Sequence, residues 1–136
     1  HQWRRTWYYD HIADMPALGA NLFPIYQKEL VDFNMKSIIK IVLLHDIEKP
    51  FKYDSCGIQY LNEIIQSDSD TAIRNYVIDK FNITLTHEEK NGIRYIHWEG
   101  KDYSETKRVM LPLTAFCHIL DVSSARIFFD KSIAKK

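Results

Sequence analysis

The segment from Ile38 to Leu44 constrains the fold more than any other part of the chain, because Lys40 is its only polar residue. A helix that is apolar on nearly every side is buried among other elements. His45 and Asp46 follow this segment directly. An ionised carboxylate in such surroundings needs an ion pair, hydrogen bonds or a metal ion to offset its lost hydration. The buried helix therefore predicts either a structural His–Asp pair or a cation site at its end.

The rest of the chain also predicts helices. Glycine and proline are scarce, with four of each in 136 residues, and alternation of period two is hard to find. Caps, prolines and apolar spacing predict helices over residues 3–18, 24–33, 35–47, 56–66, 70–81 and 87–98, and a last helix from Glu105 or Pro112 to Phe129. Asn34 is the predicted N-cap of the helix over 35–47, and Pro50 ends it. Thr86 and Glu89 form the predicted capping box of the helix over 87–98, and Pro24 begins the second helix. We therefore expect an all-α, compact single-domain helical bundle of about six to seven helices over residues 1–136.

Composition limits the classes of function. Lysine plus arginine equals aspartate plus glutamate, 18 of each, which argues against a long nucleic acid bound through a broad basic surface. No apolar run reaches the length of a membrane span and no signal peptide opens the chain, so no membrane partner is expected. Cys56 and Cys117 form neither a metal-ligand spacing nor a disulfide framework. These features predict a reducing, cytoplasmic setting.

A second pair of imidazole and carboxylate lies in the last long helix. His118 and Asp121 stand in an otherwise apolar stretch, and their i, i+3 spacing places them on one face. One such pair is often structural, whereas two that converge favour a metal or catalytic site. His11 lies on the N-terminal helix, and His97 lies at the end of a later one. The alternative that both pairs are merely structural stays open.

The order of His11, His45–Asp46 and Asp121 resembles the H…HD…D pattern of the HD-superfamily of metal-dependent phosphohydrolases. The local sequence LLHDIEK is close to that family's LLHDIGK, and ILDVSSAR is similar to its closing helix. IRYIHWEG resembles the segment in which many members carry an extra histidine. The resemblance spans residues 11–126. It implies an HD-type helical domain in which His11, His45, Asp46 and Asp121 bind a divalent metal ion.

The resemblance also implies an activity. Two imidazoles and two carboxylates suit Mn, Fe, Co, Ni, Zn or Mg, as one or two ions per chain. The implied reaction is hydrolysis of a phosphate ester, of a nucleotide or a related small phosphate, through a metal-activated water. Asp46 would orient that water, and Lys49 would neutralise a phosphate oxygen, unless Lys49 is a solvated residue at a helix end. Lys52 and Arg126 either contact phosphate or form structural ion pairs.

His97 and His118 decide between one metal ion and two. Family members with extra histidines at such positions assemble binuclear centres. Alternatively, His118 donates a hydrogen bond to a ligating carboxylate, and His97 is a surface residue at a helix end.

A second function class stays open beside the enzyme. Glu48 stands where the family usually has a small residue, which motivates a catalytically inactive HD-fold module that binds metal or nucleotide and regulates. The aromatic residues Trp3, Trp7, Tyr8 and Tyr9 recur at helical spacing and predict either core packing or a homo-oligomer contact.

Overall fold

A computed structural model describes residues 7–29, 34–53 and 70–128. These residues form helices joined by turns, and no β-strand occurs among them, so the predicted all-helical class is confirmed for this part of the chain. The α-helices are α1 (Trp7–Tyr26), α2 (Met35–Leu44), α3 (Glu48–Tyr53), α4 (Asp70–Lys80), α5 (His87–Tyr95) and α6 (Pro112–Val122). A 3-10 turn (Gly100–Asp102) precedes α6, and a π-helical turn (Ser123–Ile127) follows it. The total number of helices and the HD type stay predictions.

The main core lies between α1, α2 and α6, and α5 packs against both α2 and α6. Its buried side chains are Met15, Leu18, Ile38, Ile41, Val42, Ile96, Leu113, Phe116, Cys117 and Leu120. A smaller cluster joins α4 to α2 and α5 through Leu44, Ile78 and Ile93. The expectation that α2 is buried nearly all round was too strong, because Ile39 and Leu43 are exposed. None of the described helices has the length and apolarity needed to cross a bilayer.

The predicted start of α2 is confirmed and its predicted end is wrong. The Asn34 side chain accepts a hydrogen bond from the N–H of Ser37 and caps the helix. The α-helix ends at Leu44, and the chain turns over residues 45–47. Pro50 does not terminate α2; it lies in the first turn of α3, where a backbone N–H has no partner within the helix in any case. His45 and Asp46 therefore lie in a turn and not within α2.

The N-terminal region forms one helix where two were predicted. α1 continues through Pro16 and Pro24, although local sequence rules place a helix start at Pro24. Each proline removes one helical hydrogen bond, and the packing of α1 against α2 and α6 offsets that loss. Residues 3–6, 30–33 and 56–66 of the predicted helices lie outside the described part of the chain, as do Trp3, Cys56 and Phe129.

The capping box predicted for α5 is half formed. Thr86 Oγ1 accepts the N–H of Glu89 at 3.1 Å. The Glu89 carboxylate does not return to the cap, because Oε2 pairs with Lys40 Nζ of α2 at 2.9 Å. α5 also ends earlier than predicted, at Tyr95 and not at Trp98. An ion pair with α2 has therefore taken the place of the local hydrogen bond from the backbone N–H of Thr86 to the Glu89 carboxylate.

The last helix begins at Pro112, so of the two predicted starts the one at Glu105 is wrong. The side-chain oxygen of Asn91 on α5 accepts the N–H of Leu111 at 3.1 Å. This bond ties the segment before α6 to α5 and so fixes the helix that carries Asp121.

Gly92 lies where α5 packs closely against Ile41 of α2. A β-carbon there would be 2.4 Å from Cδ1 and 2.9 Å from Cγ1 of Ile41, which is fully buried. We expect Gly92→Ala to lower the free energy of unfolding by about 1–3 kcal/mol, because overpacking outweighs alanine's better helix propensity. Urea unfolding followed by circular dichroism measures the change. Adding Ile41→Val, which removes Cδ1, should recover part of the loss. Unchanged stability of Gly92→Ala would show that the two helices separate easily.

Candidate metal centre

Three helices bring His11, His45 and Asp121 together. His11 lies in the second turn of α1, His45 directly follows α2, and Asp121 is near the end of α6. All three are buried, and one ligand atom from each lies within 4.8 Å of the others. The Oδ1 atom of Asp121 is 3.0 Å from His11 Nε2 and 3.5 Å from His45 Nε2. Nitrogen and oxygen donors at these separations can hold a metal ion.

Asp46 lies beside these three residues. Its Oδ2 atom is 3.3 Å from His45 Nε2 and 3.9 Å from His11 Nε2. Lys49, which follows the turn, donates a hydrogen bond to the same oxygen. Asp46 thus lies beside the buried group. Its predicted role as a fourth metal ligand stays a prediction.

Hydrogen bonds on the outer ring nitrogens orient both buried imidazoles. His45 Nδ1 donates to the carbonyl of Val42 at 2.7 Å, so Nε2 faces the carboxylates and, in the neutral imidazole, carries the lone pair that a metal ion would use. His11 Nδ1 is 2.8 Å from Ser124 Oγ. Histidines that bind metal ions are commonly held in this way, with the outer nitrogen on a carbonyl or another polar group.

Two buried polar atoms of the site lack a hydrogen-bond partner in the described part of the chain, and a bound cation would take the place of that partner. His45 Nε2 and Asp46 Oδ1 form no hydrogen bond within the described residues, although both are buried. A buried polar atom without a hydrogen bond is destabilising by about 1–3 kcal/mol. A cation between the imidazoles and the carboxylates would satisfy both atoms, so the chemistry of the residues fits a bound metal ion.

The electrostatics of the group favour the same conclusion. Burial opposes ionisation, yet the neighbouring histidines hold the pKa of Asp46 and of Asp121 far below the ordinary value for a carboxyl. Burial likewise disfavours the charged form of His45, yet Asp121 and Asp46 raise its pKa to about 9. The carboxylates are thus ionised and attract positive charge, whether from protons on the histidines or from a metal ion that displaces them.

His97 lies at the exposed side of the cluster, in the bend after α5. Its side chain is 49% exposed. Nδ1 is 3.1 Å from Asp121 Oδ2, and Nε2 is 3.5 Å from Asp46 Oδ1. The hydrogen bond with Asp121 and the contact with Asp46 raise the pKa of His97 to about 9. His97 thus contacts both carboxylates while half of its side chain stays exposed, and its service to a second metal ion stays a prediction.

Other predicted residues lie apart from the cluster or outside the described part of the chain. His118 Nδ1 donates to the carbonyl of Ile96, and this bond stands in place of the predicted donation to the Asp121 carboxylate. Arg126 is exposed in the π-helical turn and makes no ion pair with the site within the described residues. The backbone of Lys52 belongs to α3, whereas its side chain lies outside the described residues.

Two residues near the site were assigned no part in it from the sequence, namely Ser124, which contacts His11, and Tyr8, whose pKa is affected by Asp46. Ser124 follows Asp121 by three residues and Tyr8 precedes His11 by three, a spacing that places residues on one helix face. That spacing is the signal that indicates both. Tyr8 is buried, as the core interpretation of the aromatic residues predicts, whereas its neighbour Tyr9 is exposed. Burial raises the pKa of Tyr8 well above the ordinary value, and the Asp46 carboxylate adds to the rise.

Glu48, which departs from the family pattern, has a partner in α4. Its Oε2 atom lies 3.6 Å from Arg74 Nε, and Arg74 also donates to the carbonyl of His45 at 2.9 Å. Burial raises the pKa of Glu48, and the guanidinium of Arg74 opposes the rise. The two residues join α4 to the turn that carries His45.

Comparisons of the chain with models of protein families, with curated proteins and with solved structures found no match. Functional assignment therefore depends on the residues of the site and on their geometry.

Proposed function

We propose that the protein is a metal-dependent phosphohydrolase of the HD type, which cleaves a phosphate ester of a nucleotide or of a related small phosphate. The observation that carries the proposal is the convergence of His11, His45 and Asp121 from three helices into one buried group, with Asp46 beside it. Their order along the chain is that of the H…HD…D pattern. The four residues are spread from position 11 to position 121, so the site forms only when both ends of the described chain come together.

His11, His45 and Asp121 would hold a divalent cation, with Asp46 as the fourth ligand. When bound, such an ion supplies Lewis acidity toward a phosphoryl oxygen and lowers the pKa of a coordinated water. The donor set is compatible with Mn, Fe, Co, Ni, Zn or Mg. His97 contacts both carboxylates, and it serves either as a ligand of a second ion or, with one ion bound, as the proton donor described next.

Lys49 and His97 supply the positive charge around this group. Lys49 donates to Asp46 and holds that carboxylate in place. In the metal-free protein His97 is protonated at neutral pH, because its contacts with Asp121 and Asp46 raise its pKa to about 9. As the exposed member of the cluster, the imidazolium meets an incoming phosphate and gives its proton from Nε2 to the leaving oxygen.

The alternative is an HD-fold module that binds metal or nucleotide without hydrolysis. Glu48 motivated this alternative, because it replaces a small residue beside the His–Asp pair. Its contact with Arg74 gives Glu48 a structural role in joining α4 to the turn. That role is compatible with catalysis, so the presence of Glu48 does not by itself favour the inactive module.

A hydrolysis screen tests the proposal. We expect metal-loaded protein to hydrolyse at least one member of a panel of nucleotides and small phosphate esters with Mn, Co or Mg added. His97→Ala should lower kcat by about 100-fold, with a smaller change in KM, because the variant lacks the proton donor. Replacing His87, an exposed histidine at the start of α5, with alanine is the matched control and should leave kcat unchanged.

The outcomes separate the two functions. Folded protein that takes up metal and hydrolyses none of the esters favours the inactive module. Protein that takes up none of the metals contradicts the phosphohydrolase and leaves only a helical domain that binds nucleotide without metal.

A further inference from the structure

A surface pocket of about 460 Å³ lies between α4 and α5. We call it the α4–α5 pocket, and its lining shares no residue with the candidate metal centre. Sites for small molecules typically have volumes of about 300–1,000 Å³. The apolar part of the lining is Ile78, Leu85 and Ile93, and the cationic part is Arg74, Lys90 and Arg94.

The charge in this pocket is unbalanced. Within the described residues, three cationic side chains line it and no acidic one does. Lys90 and Arg94 are one helical turn apart on α5, where like charges on one face repel. Lys90 makes no ion pair with any described residue. Arg94 pairs with Asp102 at 2.9 Å, but its side chain remains mostly exposed. An anion in the pocket would relieve this repulsion.

Arg74 provides a cation that is already held in position. One terminal nitrogen donates to the carbonyl of His45 at 2.9 Å, whereas the bond from the other to Thr71 Oγ1 is long, at 3.4 Å. Its Nε atom lies 3.6 Å from Glu48 and forms no hydrogen bond with the described residues. The terminal nitrogen that makes only the long bond to Thr71 retains donor capacity for the oxygens of an anion, whereas Nε is buried against Glu48.

Positive charge continues on the other side of α5. A second pocket, of about 440 Å³, adjoins the first, because Lys90 and Arg94 line both. Arg108 also lines the second pocket and makes no ion pair with any described residue. The chain as a whole has no net charge, so this concentration of cations is a local feature of the surface.

We propose that the α4–α5 pocket binds a small organic phosphate. The phosphate lies among the three cationic side chains, of which the arginines present paired donors to its oxygens. The rest of the ligand packs against the apolar lining. The bound phosphate compound contacts Arg74, which donates a hydrogen bond to the carbonyl of His45. It also contacts Ile78 and Ile93, which pack with Leu44. The proposal does not depend on hydrolase activity, because the pocket and the metal centre share no residue.

Calorimetric titration of the metal-free protein tests this site, with AMP, adenosine and inorganic phosphate as probes. Metal is removed with a chelating resin, because a soluble chelator is itself a polyanion. Without metal, the other candidate site lacks the divalent cation that would hold a phosphate there, and the amide shifts described below identify any binding at that site. We expect AMP to bind more tightly than adenosine or phosphate. Lys90→Ala should weaken AMP binding by about tenfold, because a charged hydrogen bond is lost.

Matched variants and amide shifts decide the result. Lys36→Ala removes an exposed lysine of α2 that lines neither pocket, and it should change AMP affinity by less than about twofold. AMP should shift the amide signals of Thr71 and Asn75. The proposal is overturned by no AMP binding at about 10 mM, by equal affinity for AMP and inorganic phosphate, or by equal effects of the two lysine variants. It is also overturned if the shifts occur at His11 and Asp121 instead.

Discussion

Asp121→Asn is expected to abolish stable metal binding while the chain remains folded. The amide has nearly the shape of the carboxylate, so packing at the end of α6 is preserved. It lacks the negative charge that faces His11 and His45 at 3.0 and 3.5 Å. Removing a residue that only hydrogen-bonds to a metal ligand lowers metal affinity by about 10–100-fold. Removing the ligand itself should therefore lower metal affinity by at least about 100-fold. Plasma mass spectrometry after dialysis against limiting metal measures the content.

Asp102→Asn provides the matched control. Asp102 accepts hydrogen bonds from Arg94 and Tyr95 and is not part of the buried group, so this variant should keep the metal content of the wild type. Circular dichroism verifies that both variants fold. Equal metal in Asp121→Asn and wild type would exclude Asp121 as a ligand. A wild type without metal, even after soaking with each candidate ion, would refute the metal centre as a whole.

Lys40→Met is expected to cause a large loss of stability. Lys40 Nζ lies 2.9 Å from Oε2 of Glu89, a carboxylate that is 97% buried, and it also donates to the carbonyl of Thr84. Removing one partner of a buried ion pair leaves an uncompensated charge. We expect the free energy of unfolding to fall by about 3 kcal/mol, at the lower end of the usual range, because the lysine side chain is itself partly exposed. Urea unfolding measures the loss.

Two further variants isolate the cause. Lys36→Met changes an exposed lysine on the same helix and should have little effect on stability. Adding Glu89→Gln to Lys40→Met should recover part of the loss, because a buried amide costs less to desolvate than an unpaired carboxylate. If Lys40→Met and Lys36→Met were equally stable, the ion pair would contribute nothing to the fold.

The local signals in the sequence were reliable where a single helix decides the outcome. Asn34 caps α2 and Thr86 caps α5, as predicted, because these bonds depend only on neighbouring backbone. Prediction from local rules failed at Pro24 and Pro50. Packing against α2 and α6 carries α1 through Pro24, and a change of chain direction after Leu44 makes Pro50 part of the next helix. Both outcomes depend on tertiary contacts that local rules omit.

The sequence by itself determined the helical class and the identity of the central polar residues. An imidazole and a carboxylate next to an apolar helix must meet compensating groups, so His45, Asp46 and Asp121 stand out from their neighbours in the sequence alone. Only the tertiary structure decided which partners they meet. It brings His11 and Ser124 within 2.8 Å across 113 residues of chain, adds His97 to the cluster, and gives His118 a different acceptor. Helix propensity and caps depend on neighbouring residues, whereas these distances depend on how α1, α2, α5 and α6 pack.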